Sequence, residues 1–378
     1  MSLSDPRVRI PLSTPFLLLA LASIFPALCP KGHISNTGWM SALSVFDKVN
    51  RLRLQEDVIA GKVDPDTLLP DLVEWVRCKY YNLFYNRKTG ERRACPAARK
   101  GNAAYALRQS FKRAKLAKLL KKHTVSFETP SGIFSRLFFM TLTIDHKTMS
   151  RDEANRYITS KGKGISRFFA RLEKCIDGGY SKVIVKESTS SGYPAVHVLL
   201  HLDRPMKVRW HRKSGSYRPD PSDPYTASVL GKLKDLHDWN SKSPLWKVGF
   251  VDIYGFTNDR MDMKGYANPI NYISKYISKS LDLDGIPGIE SCKRVSDLPK
   301  EHRTKVWTIL NNLVWNSQTW ILSKSFKEDL KKLEEGSPIL PSPWVWAGIV
   351  HISNPALYRW MGWNPESFLP GTIPTSGV

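Results

Sequence analysis

Between residues 129 and 285 the spacing of apolar positions changes period several times. The run LFFMTLTI (137–144) is apolar and rich in β-formers, which predicts a buried strand. From Ile165 through Phe168, Phe169, Leu172 and Ile176 the apolar residues recur every three or four positions, which predicts a helix. KVIVKES (182–188) and AVHVLLHL (195–202) read as two further strands, joined by a short Ser/Gly/Pro loop. A helix near Ala227 to Trp239, a strand at GFVDIYG (249–255) and a helix from about Pro269 to Ser280 follow.

The order strand–helix–strand–strand–helix–strand predicts an α+β fold, with an antiparallel sheet of the ferredoxin-like or RRM-like kind and helices against it. Residues 1–128 form a flanking region expected to be mostly helical. Within it, Arg92 to His123 interleaves Leu107, Phe111, Leu116 and Leu119 with many Lys and Arg, so one face packs and the other is a candidate DNA contact. Residues 286–378 form a third region, anchored by Trp307, Trp315, Trp320, Trp344, Trp346, Trp360 and Trp363.

Composition narrows the function. The 378 residues are 42% hydrophobic with 12 Trp, 14 Tyr and 15 Phe, which excludes a disordered basic tail. Lys and Arg number 57 against 34 Asp and Glu, a net +23, and such a surface concentrates polyanions, with nucleic acid foremost. A basic insertion, Lys207, Arg209, Arg212, Lys213 and Arg218, sits between the third strand and the second helix. The 5 cysteines (Cys29, Cys78, Cys95, Cys175 and Cys292) are scattered and contain no CxxC pair, which points to a reducing compartment. A zinc site from Cys29, His33, Cys78 and Cys95 lacks regular ligand spacing. The apolar stretch Pro15 to Leu28 is shorter than the ~20 residues a membrane span needs, so no stable span is expected. A cytoplasmic location fits these features.

Two elements carry candidate chemistry. In the strand 195–202, Ala195, His197, Leu199 and His201 share one face, and Glu187 lies across the hairpin from that row. A carboxylate from Glu187 and the imidazole of His197 can therefore meet at one divalent ion, whereas His201 lies about 13 Å further along an ideal strand. In NYISKYISK (271–279), Tyr272 and Tyr276 are four residues apart and project together on a helix, as do Lys275 and Lys279. A phenol titrates near pH 10 and is a poor nucleophile at neutral pH unless a lysine or a metal-bound phosphate assists it.

The two elements, in this order, resemble the HUH endonucleases, and within them the replication initiators of plasmids and single-stranded DNA phages. Phe139-Met140-Thr141-Leu142-Thr143 matches the family's first motif, and Gly192 through Leu200 its second. Tyr272 through Lys279 matches the paired-tyrosine motif, and LWKVGFVDIYG (245–255) the strand between them. The resemblance covers about 150 residues. One departure stands out: the second motif normally supplies two histidines, and here the first is Ala195.

The resemblance implies a Mg²⁺ or Mn²⁺ ion held by His197 and Glu187, and attack by Tyr272 or Tyr276 on a single-stranded or extruded origin. Lys275 and Lys279 would partner the phosphate charge. The products would be a 5′-phosphotyrosine and a 3′-hydroxyl that primes a host polymerase, with a host helicase unwinding, since no GxxxxGK[ST] loop is present. Transposases and relaxases share the chemistry, but the tyrosine follows the histidine motif here and the basic flanks are long. The competing expectation is a non-enzymatic DNA-binding protein whose nuclease site has decayed at Ala195.

Overall fold

A computed structural model describes residues 44–77, 80–120, 126–160, 162–233, 245–257, 283, 285–318, 320–335, 343–351, 357 and 360–362. In chain order the elements begin with α1 (Lys48–Ile59), α2 (Leu69–Val76), β1 (Tyr80–Asn86), β2 (Arg92–Pro96) and α3 (Ala103–Leu120). Next come β3 (Ser126–Thr129), β4 (Gly132–Ile144), α4 (Arg151–Thr159), α5 (Gly164–Leu172), β5 (Tyr180–Ser188) and β6 (Pro194–His211). The chain continues with β7 (Ser216–Pro219), α6 (Pro224–Leu233), β8 (Gly249–Gly255), α7 (Lys300–Val314), β9 (Trp320–Leu322), α8 (Lys324–Glu335) and β10 (Trp344–His351). The class is α+β with antiparallel sheets.

Two compact units emerge, and they do not follow the three consecutive stretches read from the sequence. Of the described residues, 80–97, 343–351, 357 and 360–362 form the smaller unit, and the remainder form the larger. The smaller unit is a three-stranded antiparallel sheet, β10-β1-β2.

In the larger unit β4 lies between β6 and β8, β5 flanks β6, and β9 extends the sheet beyond β5, all antiparallel. The four main strands thus run β5-β6-β4-β8. Alternation sends Phe138, Met140, Leu142, Val196, Val198 and Leu200 to one face, where α4, α5 and α6 bury them. Leu137, Phe139, Val183, Val185 and Leu199 point to the other face, beneath Leu116 of α3 and Phe326 of α8. Because both faces are covered, Phe138, Phe139 and Met140 are all wholly buried, each stabilising the fold by roughly 1.5–3 kcal/mol. Ser150 caps α4 with Glu153 in a reciprocal pair, which fixes where that helix starts.

A second core joins α1, α2 and α7. Every residue of α7 from Val306 to Val314 is buried, polar Thr308, Asn311 and Asn312 included. Its C-terminal carbonyls are satisfied from outside the helix. Lys100 Nζ donates to the carbonyl of Asn312 (3.0 Å) and, just past the helix, to that of Ser317 (2.6 Å), and Gln55 Nε2 donates to that of Val314 (2.6 Å).

Several expectations change. Among its described residues the region 1–128 carries α1, α2 and α3, and also the strands β1, β2 and β3, which the sequence reading did not include. The basic stretch from Arg92 does not begin as helix: Arg92–Pro96 pairs with β1, Pro96 and Gly101 delay the helix, and α3 starts at Ala103. The tryptophans expected to anchor one C-terminal region divide between the units: Trp307 and Trp315 sit in the α1–α2–α7 core, while Trp344, Trp346 and Trp360 belong to the smaller unit. The basic insertion continues β6 as far as His211 and returns as β7, since Met206 and Val208 keep the inward alternation. Segment 15–28 and the helix expected over 269–280 lie outside the described residues. Among the described residues no helix is long and apolar enough to cross a membrane.

Candidate metal centre

The strand register sets the site. Glu187 on β5 stands opposite Ala195 on β6, and His197 stands between Val185 of β5 and Thr141 of β4. All project to the face that carries Phe139 and Leu199. His197 Nε2 lies 3.2 Å from Glu187 Oε2, and its Nδ1 lies 3.2 Å from Thr141 Oγ1. The imidazole stacks on Phe139, centroids 5.6 Å apart and planes 25° from parallel. Only 7% of His197 and 8% of Glu187 is exposed.

These contacts fix the ring. Nε2 faces the Glu187 carboxylate and Nδ1 faces the Thr141 hydroxyl. The same orientation suits metal binding, in which a cation replaces the Nε2 proton. Two adjacent ligands of an octahedral ion with bonds of ~2.1 Å stand about 3.0 Å apart, close to the donor separation observed. One carboxylate and one imidazole are donors of a kind that would suit Mg²⁺ or Mn²⁺. Among the described residues no cluster of three or more His, Cys, Asp or Glu side chains forms.

Ala195 occupies the position from which a second imidazole would face Glu187. His201 does not replace it. β6 keeps unbroken register with both neighbours from Ala195 to His201, so His201 remains four positions away, opposite Leu137 and Ser181. Asp252 of β8 shares the face, directly across from Thr141, but two strand spacings (about 10 Å) separate it from His197, and it pairs with Arg218.

The end of β5 that carries Glu187 is anchored by α7. Ser188 N–H donates to Thr308 Oγ1 (2.8 Å), and Asn311 Nδ2 donates to Ser188 Oγ and to the Gly192 carbonyl, both at 3.0 Å. The sequence offered a trace of this support in its run of nine residues without a strong charge, but no spacing that tied it to the site. Thr141 and Phe139 were legible within the first motif, although their roles were not. Lys186, next to Glu187, points to the opposite face; burial pushes its ammonium down to about 8. Lys100 is likewise pushed down to about 8, by burial first and then by Arg51 and Lys186.

Tyr272, Lys275, Tyr276 and Lys279 lie outside the described residues. Comparison of the chain with protein-family models, curated proteins and solved structures finds no match.

Proposed function

We propose that the chain is a DNA-nicking and -joining enzyme of the rolling-circle initiator type, built on a ferredoxin-like or RRM-like nuclease fold. The observation that carries this reading is the meeting of His197 and Glu187 at 3.2 Å on one face of the central strands. The strand order β5-β6-β4-β8, antiparallel throughout, supports the fold assignment. The surplus of 57 basic over 34 acidic residues supports a nucleic-acid substrate.

His197 and Glu187 would hold Mg²⁺ or Mn²⁺, which would supply Lewis-acid withdrawal of charge from the scissile phosphate. Thr141 and Phe139 hold the His197 ring so that Nε2 faces the carboxylate. The phenol of Tyr272 or Tyr276 gives up its proton to solvent, and the resulting phenolate attacks phosphorus. The P–O3′ bond breaks, the 3′-oxygen takes up a proton, and the 5′-phosphate stays on the tyrosine. Lys275 and Lys279 offset the phosphate charge. Attack by a 3′-hydroxyl on the phosphotyrosine reverses the step and rejoins the strand, with no nucleotide consumed.

Ala195 favours a second reading, in which the chain binds DNA at a decayed centre and cuts nothing. The two are separated by incubating the protein and Mn²⁺ with labelled single-stranded oligonucleotides tiled across a candidate origin. The nuclease reading expects a denaturation-resistant protein–DNA adduct that is absent from the Tyr272→Phe/Tyr276→Phe double variant. Tight, salt-sensitive binding with no adduct on any tile would favour the decayed centre.

A further inference from the structure

The smaller unit presents a sheet face on which exposed aromatic and apolar side chains stand beside cations. Alternation along β1 puts Asn82 and Phe84 on one side, and register brings Arg93 and Cys95 of β2 and Trp344, Trp346 and Ile349 of β10 to the same side. Arg93, Phe84 and Trp346 stand in one row across the three strands. Trp346 is 44% exposed and Ile349 54%, and the Trp346 indole is pinned by donation of its Nε1 to Asn82 Oδ1 at 3.3 Å. The Arg93 guanidinium lies 4.4 Å above the Trp344 ring and pairs with Glu91 at 2.8 Å. The opposite side is the packed one: Leu83 is buried there, and Arg92 lies 5.2 Å over Trp360. At the open hairpin end stand Arg87 and Lys88, so Arg87, Lys88, Arg92 and Arg93 face Glu91 as the sole carboxylate among the unit's described residues.

We propose that this face is a binding site for single-stranded DNA, distinct from the nuclease centre, on which bases stack against Phe84 and Trp346 while the hairpin cations follow the phosphates. Flat rings held in a row suit bases, whose own faces are unstacked only in a single strand. The excess of positive charge selects a polyanion over an apolar protein partner. The chemistry at His197 plays no part in this proposal, and its test reads binding alone.

The full chain is titrated in EDTA, which silences metal-dependent cutting, with a fluorescein-labelled mixed-sequence 20-nucleotide strand. Parallel titrations use the same strand with abasic positions and RNA of the same sequence, all followed by anisotropy. Losing even one stacked base weakens binding about fivefold or more, so the Phe84→Ala/Trp346→Ala variant binds the intact strand at least that much more weakly. Abasic positions weaken the wild type by a similar factor and leave the double variant unmoved. Trp346→Phe stays within about twofold of wild type. Arg93→Gln, which spares the row of rings, lowers the slope of log affinity against log salt by about 0.7. The proposal is overturned by an unchanged affinity in the double variant, by equal abasic losses in variant and wild type, or by RNA binding tenfold tighter. A change in oligomeric state on sedimentation with DNA affinity intact overturns it as well. None of these outcomes bears on adduct formation, and absence of an adduct leaves this test standing.

Discussion

Replacing Thr308 by valine removes one hydroxyl and keeps the side-chain shape, at a position only 1% exposed. That hydroxyl accepts from Ser188 N–H at 2.8 Å and donates to the Thr304 carbonyl at 2.7 Å. The Thr304 carbonyl sits inside α7 and keeps the helix ladder as an alternative partner, so its loss costs little. Ser188 N–H is stranded in the interior, which costs about 1–3 kcal/mol. For a unit of this size that amounts to a fall in melting temperature of roughly 2–5 °C. Calorimetry measures the fall, and hydrogen exchange at the Ser188 amide locates it. Thr308→Ser keeps the hydroxyl and drops a methyl group, at about 0.8 kcal/mol, so it is expected to be the milder of the two. A valine variant melting within 1 °C of wild type, or a serine variant as damaged as the valine one, would refute the claim that this hydrogen bond secures the Glu187 end of β5.

Three further outcomes are expected. Gly192 has φ +84°, and an added Cβ would lie 2.7 Å from Arg151 Cδ and 2.9 Å from Trp307 Cδ2; Gly192→Ala should destabilise by about 2 kcal/mol or more, read by urea unfolding. Lys100 titrates near 8 in the fold, against an ordinary 10.5, so the unfolded chain holds more protons between those values and stability rises with pH across that window. Relative to Lys100→Met, wild type should gain about 1–3 kcal/mol between pH 7.5 and 10, and a constant difference would contradict it. Ala195→His puts a second imidazole opposite Glu187; it should lower the melting temperature in EDTA and tighten Mn²⁺ binding by calorimetric titration, and unchanged Mn²⁺ affinity would count against the centre.

The sheet was legible because its strands, buried on both faces, are short apolar runs rich in β-formers and bounded by turn residues. LFFMTLTI, KVIVKES and AVHVLLHL all fall within β4, β5 and β6, and with them came the pairing of Glu187 and His197. Strand ends were less legible. β4 begins at Gly132 and β6 runs to His211, because charged residues on their solvent side conceal the inward alternation of Ile133, Met206 and Val208. Helix α7 escaped notice for the opposite reason: buried all round, it shows no amphipathic stripe, and its Thr308, Asn311 and Asn312 read as surface residues until a partner for each is seen. Helix α4 does carry a local signal, the capping pair Ser150-x-x-Glu153 at its start. The strands β1 and β10 pair across more than 250 residues of sequence, a contact that no local pattern announces.

The central claim is that Glu187 and His197 hold the ion that drives tyrosine attack. The most direct test titrates Mn²⁺ into adduct formation on the cleavable oligonucleotide, with wild type beside Glu187→Gln, which keeps shape but weakens the ligand. The expected result is no adduct in EDTA, saturation with Mn²⁺ in wild type, and a half-saturating concentration at least tenfold higher in the variant. Adduct formed in EDTA, or a midpoint unmoved by Glu187→Gln, would contradict it.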